Sequence, residues 1–166
     1  MRDELKMQIA ALAPRLRRFA YALCGDREEG DDLVQSACLK AIDRIDQFQS
    51  GTRLDSWLFR IVQTTFLDER RARSRRGGPG DPDAVDRLSD HGLGARSAED
   101  RLTLERVRGA IAALPEEQRA VMILVAIEGY SYKEAASALE TPVGTVMSRL
   151  SRARARLLPM VRELAS

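Results

Sequence analysis

From Leu114 to Leu157 the chain reads LPEEQRAVMILVAIEGYSYKEAASALETPVGTVMSRLSRARARL, and its cap chemistry divides the stretch into three helices. Leu114-Pro115-Glu116-Glu117 sets a proline at the first helical position, where its missing N–H is no loss, and carboxylates in the first turn against the positive end of the helix dipole. Gly129 closes that helix after the apolar set Val121, Leu124 and Val125. Ser131-Tyr132-Lys133-Glu134 has the Ser-x-x-Glu form of a capping box, so a second helix starts there and runs about two turns, to Leu139. Thr141-Pro142 repeats the start signal, with Thr as N-cap and Pro first in the helix, and confines the break to Glu140 and Thr141. A short helix, a tight turn and a longer helix make a helix-turn-helix.

The third helix shows which surface faces a partner. Val146, Leu150, Ala153 and Leu157 recur at helical spacing as the inward stripe, leaving Thr145, Ser148, Arg149, Ser151, Arg152, Arg154 and Arg156 on the other faces. No carboxylate lies between Pro142 and Pro159. Such a helix fits the DNA major groove, where Arg pairs with guanine edges and Ser or Thr reads or spaces other bases. Its N-terminal turn, with Gly144 and Thr145, suits a phosphate. The plainer reading is a solvated basic helix in a bundle; capped helix-turn-helix spacing and an acid-free face together favour DNA.

Upstream of this stretch, Arg76-Gly-Gly-Pro-Gly-Asp-Pro-Asp and His91-Gly-Leu-Gly are poor in large apolar residues, the composition of a flexible connector. Residues 77–96 are therefore expected to link an N-terminal domain, 1–76, to a C-terminal one, 97–166. Ser97-Ala-Glu-Asp caps the first helix of the second domain, with Leu104, Val107, Ile111 and Leu114 as its stripe. The first domain is also helical. Leu5, Ile9 and Leu12 form one stripe, Pro14 is expected to start a new helix, and Leu16, Phe19, Ala20 and Leu23 continue to Gly25. Asp26-Arg-Glu-Glu opens the next helix, with Leu33, Ala37, Ile42 and Ile45 inward and Gly30 costing about 1 kcal/mol against Ala. After the Gln49–Arg53 loop, a helix from about Asp55 turns Leu58, Ile61, Val62 and Thr65 inward and ends in Arg70, Arg71, Arg73, Arg75 and Arg76. No β-alternation of useful length occurs, so the fold class is all-α: two small helical domains on a flexible linker.

Composition narrows the function. The net charge of +2 on 166 residues is small, but acidic residues gather at Asp26–Asp32 and basic ones at Arg70–Arg76 and Arg149–Arg156, so local patches matter more than the total. Cys24 and Cys38 sit in apolar helical patterns and read as free thiols of an intracellular protein. No signal peptide or long apolar run appears, which predicts a soluble cytoplasmic chain without membrane insertion. His91 has no Cys or His neighbours, so no metal is expected, and Gly77-Gly78-Pro79-Gly80 follows a basic helix and lacks the Lys-Ser/Thr pair of a phosphate loop. No nucleophile–base set is visible. No enzyme activity, cofactor or small-molecule substrate is expected.

Taken in order, DREEGDDLVQSACLKAIDRIDQF, LDSWLFRIVQTTFLDERRARSRR and the Leu114–Leu157 stretch resemble the extracytoplasmic-function (ECF) sigma factors of RNA polymerase over nearly the whole chain. Each motif is moderately specific; the ordered set is strongly so. The resemblance implies an alternative sigma factor that binds polymerase core and directs it to promoter DNA, held in check by an anti-sigma factor.

Asp31, Asp32, Leu33, Val34 and Gln35 put carboxylates and an amide beside apolar positions, which suits docking on a basic helical partner; the resemblance identifies that partner as the polymerase clamp coiled coil. An acidic first turn stabilising its own helix is the alternative for Asp31. The family usually has an acidic residue after the glutamine, where Ser36 stands. Phe48, Arg53, Ser56, Trp57, Arg60, Gln63 and Thr64 form the inventory for holding an unpaired base of the minus-ten element, with Trp57 open to either a core or a base-contacting role. Thr64 replaces a common family asparagine. Thr145, Ser148, Arg149, Ser151, Arg152 and Arg154 would read the minus-thirty-five element, with Met147 where a basic residue is frequent. The arginines of Arg70–Arg76 would touch phosphates or run toward polymerase, or else cap their own helix. Two other readings stay open: an operator-binding regulator that dimerises through its N-terminal helices, and a sigma-like decoy that titrates an anti-sigma factor.

Overall fold

The computed structural model describes residues 1–77 and 97–165. All but Gly77 of the expected linker, including His91, lies outside the described residues. Among them every regular element is helical.

The first block holds α1 (Arg2–Cys24), α2 (Arg27–Asp43), a 3₁₀ turn at Ile45–Gln47 and α3 (Leu54–Arg75). Pro14 does not begin a helix; it lies inside α1, which runs unbroken. The proline is exposed, so the Ala10 carbonyl it leaves unbonded is open to water, while Ile9, Leu16, Phe19, Ala20 and Leu23 are buried as one stripe across it. Gly25, at φ 68°, ends α1 in the left-handed conformation. Asp26 then caps α2, its carboxylate accepting from the Glu29 N–H at 3.3 Å. Leu33, Ala37 and Ile45 are buried as the pattern requires. Ile42 is not: it is exposed, and Ala41 takes the inward place, because Leu33, Ala37 and Ala41 follow one another at four-residue spacing whereas Ile42, five residues after Ala37, lies about 140° round the helix from it. Gly30 has a packing reason. A Cβ there would lie 2.4 Å from Tyr21 Cδ1, so α1 and α2 touch at a point that only glycine allows.

The second block holds α4 (Ala98–Ala112), α5 (Glu116–Met122) with a π-helical continuation at Ile123–Ile127, α6 (Tyr132–Leu139) and α7 (Val143–Ala165). Ser97 caps α4 on the Asp100 N–H at 3.1 Å. Leu104, Val107 and Ile111 are half-buried and Leu114 is fully so. The capping box is complete: Ser131 Oγ accepts from the Glu134 N–H, and the Glu134 carboxylate accepts from the Ser131 N–H. The two prolines stand one position earlier than expected. Pro115 and Pro142 supply the carbonyls that accept the first helical bonds, and the Thr141 hydroxyl caps nothing; it is buried without a partner.

The buried residues of both blocks form one cluster. Phe59 of α3 sits edge-on between Phe19 of α1, 5.2 Å away, and Tyr130, 5.7 Å away at the start of the helix-turn-helix. Such pairs contribute about 0.5–1.5 kcal/mol each beyond their buried area. Helix α3 thus packs on α6, and α1 on α5.

Candidate nucleic-acid interface

Helix α7 buries Val146, Leu150 and Ala153 completely and Leu157 in part. That fixes its rotation and turns Ser148, Ser151, Arg152 and Arg154 fully outward, with Thr145 and Arg149 half-buried at the flank. The Ser148 hydroxyl donates to the Thr145 carbonyl at 3.1 Å. None of Arg149, Arg152 and Arg154 has a carboxylate partner among the described residues. Their charge is uncompensated: Arg149 and Arg152 share one flank of α7 and Arg154 stands on the other, which leaves the helix positive on both sides of its buried stripe, the footprint of a polyanion site. Met147 is half-exposed beside them.

The arginines of α3 differ. Arg53 pairs with Asp55 at 2.8 Å and with Glu134 at 2.9 Å, and lies 4.5 Å over the Tyr130 ring. Burial of the Asp55 carboxyl works against its ionisation, but hydrogen bonds from Arg53, Tyr130 and the Ser56 N–H outweigh it and hold the group down to about 2. The same burial pushes the Tyr130 phenol up to about 12, with the Asp55 charge adding to it. Ser56 Oγ donates to the Tyr130 hydroxyl at 3.5 Å. Arg60 donates through Nη2 to the Ser137 carbonyl at 2.6 Å, and its Nε faces Glu140 at 3.4 Å. One turn on, Gln63 Oε1 is buried with no hydrogen-bond partner. Thr64 turns its hydroxyl back onto the Arg60 carbonyl at 3.0 Å. Phe48 and Trp57 lie against each other, 5.4 Å between centroids and 50° between planes, both half-buried. At the far end of α3, Arg70 pairs with Glu116 and Arg73 with Glu29.

On α2, Asp31, Asp32 and Gln35 face outward, and Leu39, 63 % exposed, lies one turn beyond Gln35. Leu33 and Val34 do not join them. They are 0 % and 5 % exposed, so they hold α2 to the core and offer no surface to a partner. The sequence motif mixes two roles because neighbouring helical positions point 100° apart. Asp31 accepts from the Tyr21 hydroxyl at 2.5 Å and stands 4.0 Å from Arg17.

Several long-range ion pairs carried no sequence signal. Arg15 of α1 donates to Glu128 at 2.7 Å and to Asp55 at 3.2 Å, and Arg18 reaches Glu128 at 3.4 Å. Their separation along the chain, 113, 40 and 110 residues, puts them beyond any local pattern. Cys24 and Cys38 are free thiols, half-buried; burial, with Glu29 and Glu69 nearby, pushes Cys24 up to about 12.

A helix-turn-helix with an unpaired cationic face, joined to a helical block with an acidic outward face and an aromatic–basic surface, defines a promoter-recognition factor of the sigma-70 type. The Sigma-70 region 2 family matches residues 9–76 and the Sigma-70, region 4 family residues 104–157. The ECF RNA polymerase sigma factor EcfG of Rhodopseudomonas palustris (strain TIE-1) is 40% identical over 156 residues, covering 93% of this chain and 83% of that protein. Among solved structures, the sigma factor RpoE of Bartonella quintana, in complex with the anti-sigma factor NepR, superposes with a TM-score of 0.81 at 31% identity, over 96% of this chain and 97% of that one. CnrH in complex with the cytosolic domain of CnrY gives a TM-score of 0.68 at 26% identity, over 98% and 90%. The chain belongs to the ECF RNA polymerase sigma factors, the initiation factors that bind polymerase core and promoter DNA. No helix among the described residues is long and apolar enough to cross a membrane.

Proposed function

We propose that this chain works in the cytoplasm as a sigma factor with three separate contact surfaces: Asp31, Asp32 and Gln35 on the polymerase clamp coiled coil, Phe48, Arg53, Ser56, Trp57, Arg60, Gln63 and Thr64 at the minus-ten element, and Thr145, Ser148, Arg149, Ser151, Arg152 and Arg154 at the minus-thirty-five element. The observation that carries this reading is the uncompensated positive face of α7, whose rotation is set by Val146, Leu150 and Ala153. Outward Arg and Ser on a groove-sized helix are the groups that read base edges. Phe48, just before α3, and Trp57, in its first turn, lie against each other, and an aromatic pair is a stacking platform for an unpaired base. The domain limits 1–76 and 97–166 assign one DNA element to each block, with 77–96 between them. No catalytic step is assigned to the chain; its output is the address at which polymerase starts.

Regulation by an anti-sigma protein is part of the same reading, supported by the match to a sigma factor solved with its anti-sigma partner over almost its whole length. The test is run-off transcription with purified core polymerase on fragments of the source genome. Discrete products that depend on this chain are expected. Tight core binding with no product from any fragment would leave the decoy reading standing instead.

A further inference from the structure

The first two turns of α7 carry two large apolar side chains that the core does not use. Val143 is 40 % exposed and Met147 51 %, while Val146, Leu150 and Ala153 complete the inward stripe without them. Four residues apart, the two stand about 40° from each other on one side of the helix. Arg149 and Arg152 lie about 140–160° round from Met147, on the opposite flank. Gly144, also exposed, is next to Val143. A Cβ there would meet nothing within 4 Å, so no packing inside the chain asks for glycine, and what its bare backbone provides is a close approach from outside. Ser148, next to Met147, donates its hydroxyl proton to the Thr145 carbonyl at 3.1 Å. The patch of Val143, Gly144, Met147 and Ser148 therefore offers carbon, bare backbone and an acceptor oxygen, but no free side-chain donor.

That chemistry selects among the groups a base pair shows in the major groove. The N7, O6 and O4 acceptors need a donor, which the patch lacks, and the thymine C5-methyl is the one apolar group. We propose that Val143 and Met147 read a thymine methyl in the minus-thirty-five element, with Met147 as the residue that touches it and sets the base preference there. DNA is the occupant because the patch is continuous with the cationic surface of α7: Arg149 and Arg152 stand on one flank and Arg154 on the other, a setting that draws a polyanion. The inference rests on the assignment of α7 to the minus-thirty-five element and adds the kind of base that element must hold.

The test uses holoenzyme assembled from purified core polymerase and the full chain, on a promoter fragment that gives a run-off product. Each thymine of its minus-thirty-five element, on either strand, is replaced singly by deoxyuridine, which removes the methyl and nothing else. Binding is read by electrophoretic mobility shift at fixed salt. At one or two adjacent positions the parent chain is expected to bind the uracil promoter about four-fold more weakly, the worth of one buried methyl. Met147→Ala should bind the thymine promoter more weakly by about the same factor and no longer distinguish thymine from uracil. Met147→Lys should also lose the distinction, and its binding should fall more steeply with salt by about one phosphate contact. Residue 147 is exposed, so neither variant disturbs the core. An element in which no deoxyuridine weakens binding overturns the inference, and so does a uracil penalty that persists in Met147→Ala. In both cases, weaker binding by Arg152→Ala leaves the assignment of α7 standing, whereas parent-like binding by that variant overturns the assignment as well. A chain that yields no run-off product from any fragment overturns both.

Discussion

The buried guanidinium of Arg119 in α5 donates through Nη2 to the Leu23 carbonyl at the end of α1, at 3.1 Å, and through Nη1 to the Ala112 carbonyl at the end of α4, also at 3.1 Å. Both carbonyls lie in the last turn of their helices, where no intrahelical partner exists and the dipole is negative. One side chain therefore caps two helix ends and ties the two blocks together. Burial and the nearby Arg70 charge lower its pKa. Arg119→Met leaves both carbonyls buried and unpaired. It is expected to lower stability by about 2–4 kcal/mol, seen as a lower midpoint in urea unfolding. An unchanged midpoint would show that water replaces the guanidinium at no cost.

At Gly30 the expected effect comes from overpacking. Alanine there collides with the Tyr21 ring, and the cost should be about 1–3 kcal/mol. Tyr21→Leu in the same chain should recover much of that loss, because the clash is with the ring. A double-mutant cycle by thermal unfolding measures the coupling; strict additivity would place the strain elsewhere.

The α7 arginines divide by exposure. Arg152→Ala and Arg154→Ala remove outward charge from the free face, and Arg149→Ala removes a half-buried one. Each is expected to reduce run-off transcription from a cognate promoter by about ten-fold, the value of one good base or phosphate contact, while leaving core binding intact. Loss of core binding in a pull-down would refute separate surfaces for polymerase and DNA.

Acid should loosen the network at the start of α3. Asp55 titrates near 2 in the folded chain against an ordinary 3.8, so the folded state binds fewer protons than the unfolded one between those values. The stabilisation is complete above about pH 4 and is lost as pH falls through about 2. Asp55→Asn should flatten the slope of urea midpoint against pH within that window, and a slope equal to that of the parent chain would assign the acid sensitivity to other carboxylates.

Cys24 should be inert. With its thiol pushed up to about 12, almost none is thiolate at mildly alkaline pH, and the folded chain is expected to react with an aromatic disulfide reagent far more slowly at Cys24 than after denaturation. A Cys38→Ser chain isolates the measurement. Rapid labelling of its native form would mean that the end of α1 opens readily.

How much of this was legible in the chain depends on the range of each interaction. The Asp26, Ser97 and Ser131–Glu134 caps stood where the sequence put them, because a cap is an exchange between residues three apart. The inward stripe of α7 followed from period alone. Pro14 misled because local propensity favours a break and only the burial of Leu16, Phe19 and Leu23 on the far side overrides it. Leu33 and Val34 misled because a motif read as a string does not say which way each side chain points.

Local chemistry in the sequence by itself determined the helices, the helix-turn-helix and the cationic face of α7, since period, caps and charge each act within a turn or two. Tertiary structure alone decided that Arg53 and Arg60 face Glu134 and Glu140, that Arg15 bridges Glu128 and Asp55, and that Arg119 reaches Leu23. Those partners lie 40 to 113 residues apart. No local pattern encodes such pairings: Arg15 meets Asp55 only when α1 packs on α3, and the others form once the shared core around Phe59 brings the two blocks together.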